Sequence, residues 1–221
     1  MSFAKWLRSF LKFSPRSSYM KIRKTYLLKN YNDINWYFIY YIILMLSKYI
    51  KKVQLKKGEY NVYLRNSQDI EKVLFFLKYN INSQFKLLMD ICGIDNMQKY
   101  ENRFEIDYNL LSVKYWTRMH IKVHVNEFIP VNSVIKIFKS ANWYEREIWD
   151  MFGIFFKNHS DLRRILTDYG FEGFPLRKDF PQTGYVELRY NNDYKHLIYE
   201  PVELTQDFRS FDFLSPWNQI K

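Results

Sequence analysis

Residues 103–126 read RFEIDYNLLSVKYWTRMHIKVHVN, and the second half of that stretch decides the fold. Ile121, Val123 and Val125 alternate there with His120, Lys122 and His124. Successive strand side chains point to opposite faces, so this alternation predicts a half-buried strand over Trp116–Asn126 in a largely antiparallel sheet. The apolar stretches Arg103–Val113 and Phe85–Ile94 predict two further strands, and Tyr60–Arg65 a short one. Between the last two, a helix opens at Ser67, whose hydroxyl is placed to cap the free amides of the first turn. Asp69 and Glu71 lie near its positive end, and the helix runs to about Tyr79, burying Ile70, Val73, Leu74 and Leu77. Downstream, one helix is predicted near Asn132 or Ser133, carrying Val134, Ile135, Ile137 and Phe138. A second spans Asn142 to about Phe152 and stops at Gly153. The fold class is therefore α+β: a small mixed, largely antiparallel sheet with helices packed on it.

Past Gly153 the organisation changes. Five glycines or prolines punctuate residues 170–184, and no helical or strand period persists. A long structureless segment is unusual within a compact domain, so Phe155–Lys221 reads as an extended tail that lies along another protein. The domains expected are a basic N-terminal extension at 1–57, an α+β core at 58–153 and a C-terminal segment at 154–221.

The net charge of +11 is not spread evenly. Residues 1–57 hold 13 of the 34 Lys and Arg against one acid, Asp33, and the rest of the chain is close to neutral. A nucleic-acid-binding domain would carry its basic footprint on its body, so no nucleic-acid partner is expected. Ala4 and Ala141 are the only alanines beside 19 Tyr and 19 Phe. That bias matches AT-rich coding DNA of the organellar kind, and it discounts surface aromatics and lysines as signs of binding. Residues 1–33, basic with Arg8, Arg16 and several serines, resemble a mitochondrial transit peptide, although an organelle-encoded chain needs none and an arm of the mature protein is the preferred reading. The run WYFIYYIILML at 36–46 is too short to cross a bilayer and reads as a buried core helix.

Little in the sequence suggests catalysis. Gly170-Phe171-Glu172-Gly173 matches neither dinucleotide nor phosphate-loop spacing and reads as a turn. His120 and His124 share a strand face, but Lys122 stands between them and no third ligand is near, so a metal site is disfavoured. Cys92 is the sole cysteine and reads as a small buried hydrophobe. It cannot alone hold an iron–sulfur cluster, which usually takes four thiolates. The densest charged feature is Glu145-Arg146-Glu147 with Asp150, where Arg146 and Asp150 are i,i+4 neighbours on a helix whose apolar stripe is Tyr144, Ile148 and Phe152. An ion-paired helix at an interface is the reading. Two blocks follow, DLRRIL at 161–166 and PLRKDFP at 175–181. Their arginines, flanked by carboxylates, aromatics and prolines, suit bidentate pairing across a protein surface or, taken alone, RNA phosphates.

The stretches ANWYEREIWDMFGI from Ala141, HSDLRRILTDYGFEG from His159, PLRKDFP from Pro175 and YEPV from Tyr199 together resemble the 30 kDa subunit family of respiratory complex I, also called NADH dehydrogenase subunit 9. Ser160 and Phe174 depart from the family's usual Pro and His. The resemblance implies a non-catalytic scaffold subunit of the peripheral, matrix-side arm at the mitochondrial inner membrane, supporting NADH-to-ubiquinone electron transfer coupled to proton translocation. It further implies no cofactor on this chain, with FMN and iron–sulfur clusters on partner subunits, and an obligate hetero-oligomer packed against the 49 kDa subunit. The motif residues Glu145, Arg146, Glu147, Asp150, Arg163, Arg164, Arg177, Lys178 and Asp179 become the expected assembly contacts. A homologous subunit of a membrane-bound hydrogenase-type complex and an RNA-binding mitochondrial ribosomal protein are the competing classes.

Overall fold

The alternation at 117–125 appears as predicted. In the computed structural model, which describes residues 41–56, 59–97, 102–206, 209 and 211, Met119, Ile121, Val123 and Val125 are buried while His120, Lys122 and His124 lie on the other face. The element order is β1 (Ile50–Lys56), β2 (Glu59–Leu64), a 3₁₀ turn (Ser67–Asp69), α1 (Ile70–Tyr79), β3 (Leu87–Asp95), β4 (Phe104–Ser112) and β5 (Thr117–Val125). After these come β6 (Val131–Asn132), α2 (Ala141–Phe152), β7 (Phe156–Lys157), β8 (Val186–Asn191) and β9 (His196–Pro201). The chain divides into two units, residues 1–166 and 167–221.

In the first unit a five-stranded sheet runs β1-β2-β5-β4-β3. All neighbours are antiparallel except β2 and β5, which pair in parallel with Val62 opposite Ile121. α1 carries the chain from β2 to the far edge, and the meander β3-β4-β5 then returns beside β2, which accounts for the one parallel pair. Tyr60, Val62 and Leu64 of β2, with Phe104, Ile106, Tyr108 and Leu110 of β4, face one core with the buried residues of β5. α1 seals it with Ile70, Val73, Leu74 and Leu77, and α2 with Ile148 and Phe152. Full burial of one such side chain stabilises the fold by roughly 1.5–3 kcal/mol.

The opposite face is polar and interlocked. Lys122 Nζ lies 3.0 Å from Glu105 Oε1 and 3.3 Å from Asp107 Oδ2 on the neighbouring strand. His120 places one ring nitrogen 3.2 Å from Asp107 and the other 3.1 Å from Glu59 on β2. His124 stacks on Tyr63. Each cross-strand pair adds roughly 0.2–1 kcal/mol, and together they leave the histidines engaged by carboxylates.

Four local expectations are corrected. The sheet starts at Ile50–Lys56, inside the stretch read as an N-terminal extension, because β1 pairs along the whole of β2. Ser67 makes no side-chain cap, since the helix is entered through a 3₁₀ turn. The helix expected near Ser133 is a single turn, closed by the amides of Ile137 and Phe138 on the Val134 carbonyl. Tertiary partners hold it there: β6 pairs in parallel with β7, and Lys78 donates to the Ile137 carbonyl while lying over the Phe138 ring. Cys92 is exposed because Ile91 takes the inward position of β3. Of the apolar run 36–46, residues 41–45 are helical and Ile42, Ile43 and Leu46 are buried; the remainder, with residues 1–33, lies outside the described residues.

The second unit carries a hairpin in the stretch read as tail. β8 and β9 pair with Leu188 opposite Tyr199 and Tyr190 opposite Leu197. Earlier in this unit Phe180 contacts both Phe171 and Tyr185. Gly173 adopts φ +96 beneath the Phe180 ring, where a Cβ would lie 2.8 Å from it, so only glycine fits.

Gly93 tests the seam between β3 and α2, because a Cβ there would lie 2.7 Å from the Phe152 ring. Gly93→Ala is expected to destabilise the full chain by about 1–3 kcal/mol in urea unfolding, with partial recovery in the Gly93→Ala/Phe152→Leu double variant. An unchanged midpoint for the single variant would refute this seam.

Candidate interface site

α2 turns two of its carboxylates inward. Its C-terminus is set by Gly153 at φ 75, the left-handed position that ends helices, and its apolar stripe rests on the sheet. Tyr144 anchors this stripe further by donating from its hydroxyl to the Met89 carbonyl of β3. With the helix so oriented, Glu145 and Asp150 are fully buried within the chain. The sequence groups both with the expected assembly contacts; within the chain each accepts backbone amides.

Asp150 holds the DLRRIL segment. Its Oδ2 accepts the amides of Ile165 at 3.2 Å and Leu166 at 2.7 Å, while Arg164 Nη1 lies 3.7 Å from Oδ1. Arg146 does not pair with Asp150 as its i,i+4 spacing suggests; its Nε donates to the Arg163 carbonyl at 3.0 Å, and its guanidinium lies over Trp143. The segment's backbone is thus fastened at Arg163, Ile165 and Leu166, and the Arg163 side chain is directed outward, 73% exposed and paired with Asp161 at 2.9 Å. Glu147 is exposed on the same helix.

Glu145 holds the other side. Ser133 Oγ donates to Oε2 at 2.6 Å and the Val134 amide to Oε1 at 2.7 Å. His159 Nε2 lies 3.8 Å away. The Asp161 amide donates to His159 Nδ1, so the ring proton sits on Nε2 and faces the Asn142 carbonyl at 3.3 Å. Burial holds His159 below the ordinary imidazole range, and burial pushes Glu145 up to about 7 despite its two donors.

Around this site lies an aromatic and apolar rim that sequence reasoning passed over. Trp143, Phe155 and Leu166 are exposed, and Trp149 meets Phe155 edge to face. Exposed aromatics alone carry no signal in so tyrosine- and phenylalanine-rich a chain, which is why they went unnoticed. In the second unit, Arg177 stacks on Phe174 at 4.5 Å, and turns closed by Arg177 N to Phe174 O and Phe180 N to Arg177 O place Lys178 and Asp179 at the surface. The hairpin is amphipathic. Val186, Leu188, Tyr190, Leu197 and Tyr199 share one exposed face, and the other carries a bidentate Arg189–Glu200 pair at 2.6–2.8 Å. The alternation VELRY followed by NNDYK turn residues and HLIYEP could have revealed it.

Among the described residues no group of three or more His, Cys, Asp or Glu is arranged to hold a metal ion. Cys92 is poorly suited to thiolate chemistry, since desolvation and its bond to Asp90 push the thiol up to about 12. What the arrangement offers is recognition: a guanidinium presented on a fixed backbone, with aromatic surface beside it.

A family comparison agrees with this one-sided α+β domain and its arginine segment. Residues 64–186 match the model of the respiratory-chain NADH dehydrogenase 30 Kd subunit, and the chain belongs to that family. It is similar, more particularly, to subunits of NADH-ubiquinone oxidoreductase, respiratory complex I. It is 53% identical over 180 residues to NADH-ubiquinone oxidoreductase subunit 9 of Reclinomonas americana, covering 81% of this chain and 87% of the relative. Subunit 9 of Acanthamoeba castellanii is 50% identical over 83% of this chain and 95% of its own length. NADH dehydrogenase [ubiquinone] iron-sulfur protein 3 of Marchantia polymorpha is 54% identical over 84% and 94%. The fold recurs, at a TM-score of 0.58 and 22% identity, in a chain of the membrane-bound sulfane sulfur reductase, an archaeal respiratory membrane complex; the match covers 67% of this chain and 86% of that one.

Asp150→Ala removes the acceptor for two amides and the partner of Arg164. Loss of a charge-assisted hydrogen bond costs about 1.5–3 kcal/mol, so hydrogen exchange at Ile165 and Leu166 should accelerate roughly ten- to hundredfold while the β4 and β5 amides stay protected. Unaltered exchange at those two amides would show that Asp150 does not hold the segment.

Proposed function

We propose that this chain is a non-catalytic scaffold subunit of the peripheral, matrix-side arm of mitochondrial respiratory complex I. It supports assembly and the quinone-reducing module while electrons pass from NADH to ubiquinone on other chains. The observation carrying this reading is the arginine segment: its backbone is fastened by Asp150 and Arg146, yet Arg163 itself points to solvent. Its one carboxylate within the chain is the half-exposed Asp161, so most of the guanidinium is left open to a partner's carboxylate. The 49 kDa subunit is the proposed partner, met by Arg163 and Arg164, by the Arg177-Lys178-Asp179 block and by the exposed Glu147.

The hairpin supports the same reading. Isolated two-stranded hairpins are marginal in water, and one whose apolar face stands open gains order by covering that face. Among the described residues no helix is long and apolar enough to cross a membrane. The scarcity of alanine supports an organellar gene.

The name of the Marchantia polymorpha relative includes the words iron-sulfur protein. The residues here do not fit such a cluster: Cys92 is the one thiol in the chain, and His120 is engaged by Asp107 and Glu59. FMN and the clusters are accordingly assigned to partner subunits.

Replacing Arg163 and Arg164 by Ala should lower the amount of assembled complex several-fold on native gels, while each complex that forms keeps near-normal NADH:ubiquinone turnover. Arg163→Ala alone should act in the same direction without changing the chain's own unfolding midpoint. Normal assembly with collapsed turnover would overturn the scaffold reading, and migration with ribosomal RNA or with hydrogenase activity would point to the competing classes.

A further inference from the structure

Glu145 is a fully buried carboxyl of the first unit that the proposed docking does not use. Three segments meet at its carboxyl: α2, on which it sits, the turn at Ser133–Val134, and the stretch after β7 that carries His159. A buried carboxylate usually has a cation against it, since an uncompensated charge in the interior is costly. None is supplied here. Among the described residues, the one basic group in ion-pair range is His159, which is held neutral because its Nδ1 accepts the Asp161 amide. From β4, Tyr108 is the other titratable neighbour, a phenol and not a cation. Arg146, one position along the helix, turns its guanidinium toward the Arg163 carbonyl and Trp143.

Two polar atoms on Tyr108, which feels the Glu145 charge, and on Asn142, one turn back along α2, have unspent capacity. The Tyr108 hydroxyl and Asn142 Oδ1 are buried with no hydrogen-bond partner among the described residues. Against these, the charged form of Glu145 is favoured by two short hydrogen bonds, from Ser133 and from the Val134 amide. Desolvation and donation therefore oppose each other at one carboxyl, and the outcome is a group whose protonation is finely balanced.

We propose that Glu145 is a buried, exchangeable proton-binding site, whose occupancy couples the packing of α2, the Ser133–Val134 turn and the His159 segment to pH. When the site is occupied the proton sits on Oε2, the oxygen beside Ser133 Oγ, while Val134 N–H stays on Oε1. This site is independent of which partner the arginine segment meets.

The sign follows from the raised value. Burial lifts the folded carboxyl from its ordinary 4.5 to about 7, so the stability associated with the neutral form is complete below about 4.5 and is lost as pH rises through about 7. Glu145→Gln imitates the neutral acid and keeps an acceptor for Val134. In thermal unfolding of the full-length chain, Glu145→Gln should match the parent near about pH 5 and melt several degrees above it near about pH 8. A variant that melts below the parent by the same margin at both pH values would overturn the proposal. The second measurement needs no change at Glu145: the infrared band of a buried protonated carboxyl should appear in the parent on acidification through neutrality. Its midpoint should move up in Ser133→Ala, which lacks the donor that favours the charge. A band absent near neutrality, or a midpoint that ignores Ser133, would equally overturn it.

Discussion

The first unit depends on α2 burying two carboxylates along with its apolar stripe. Ile148 and Phe152 bring the helix onto the sheet, and in that orientation Glu145 and Asp150 face irregular backbone with amides to satisfy. Buried amides without partners are costly, so a helix that supplies acceptors on both flanks allows two non-repetitive segments to be ordered inside a small domain. One flank is the turn after β6. The other is the arginine segment. Neither has the length or the periodicity to hold itself.

From this division follows the polarity of the domain. Carboxylates serve the interior, and guanidinium groups are placed outside or at its boundary. The sheet shows a different solution to the same problem. Its polar face carries a ladder of Glu105, Asp107, His120 and Lys122, whose side chains pair across the strands. That ladder keeps the face wettable and engages His120 from two neighbouring strands.

The second unit is built on another principle. It has a small aromatic cluster around Phe180 and a hairpin with one apolar face and one ion-paired face. Turns fixed by glycine and proline give it shape without a large core. A partner surface is the natural source of the missing burial, and the hairpin's alternation sets which side would meet it.

The sequence by itself determined the periodic elements. Alternation in 117–125 and the strand-like stretch at 103–113 placed these strands within about two residues, and helical spacing placed Ile70, Val73, Leu74 and Leu77 on the buried side of α1. Such patterns are local records of which face meets water, so they survive without knowledge of neighbours. The family motif draws attention to α2 and the DLRRIL segment for the same reason, being contiguous in the chain. Tertiary structure alone decided that β1 extends the sheet, that Cys92 faces outward, and that Ser133–Phe138 forms a turn and not a helix. It alone decided that Glu145 and Asp150 point inward while Arg146 reaches the Arg163 carbonyl. These depend on which distant backbone donors and acceptors lack partners once the sheet has formed, and spacing along the chain holds no record of that.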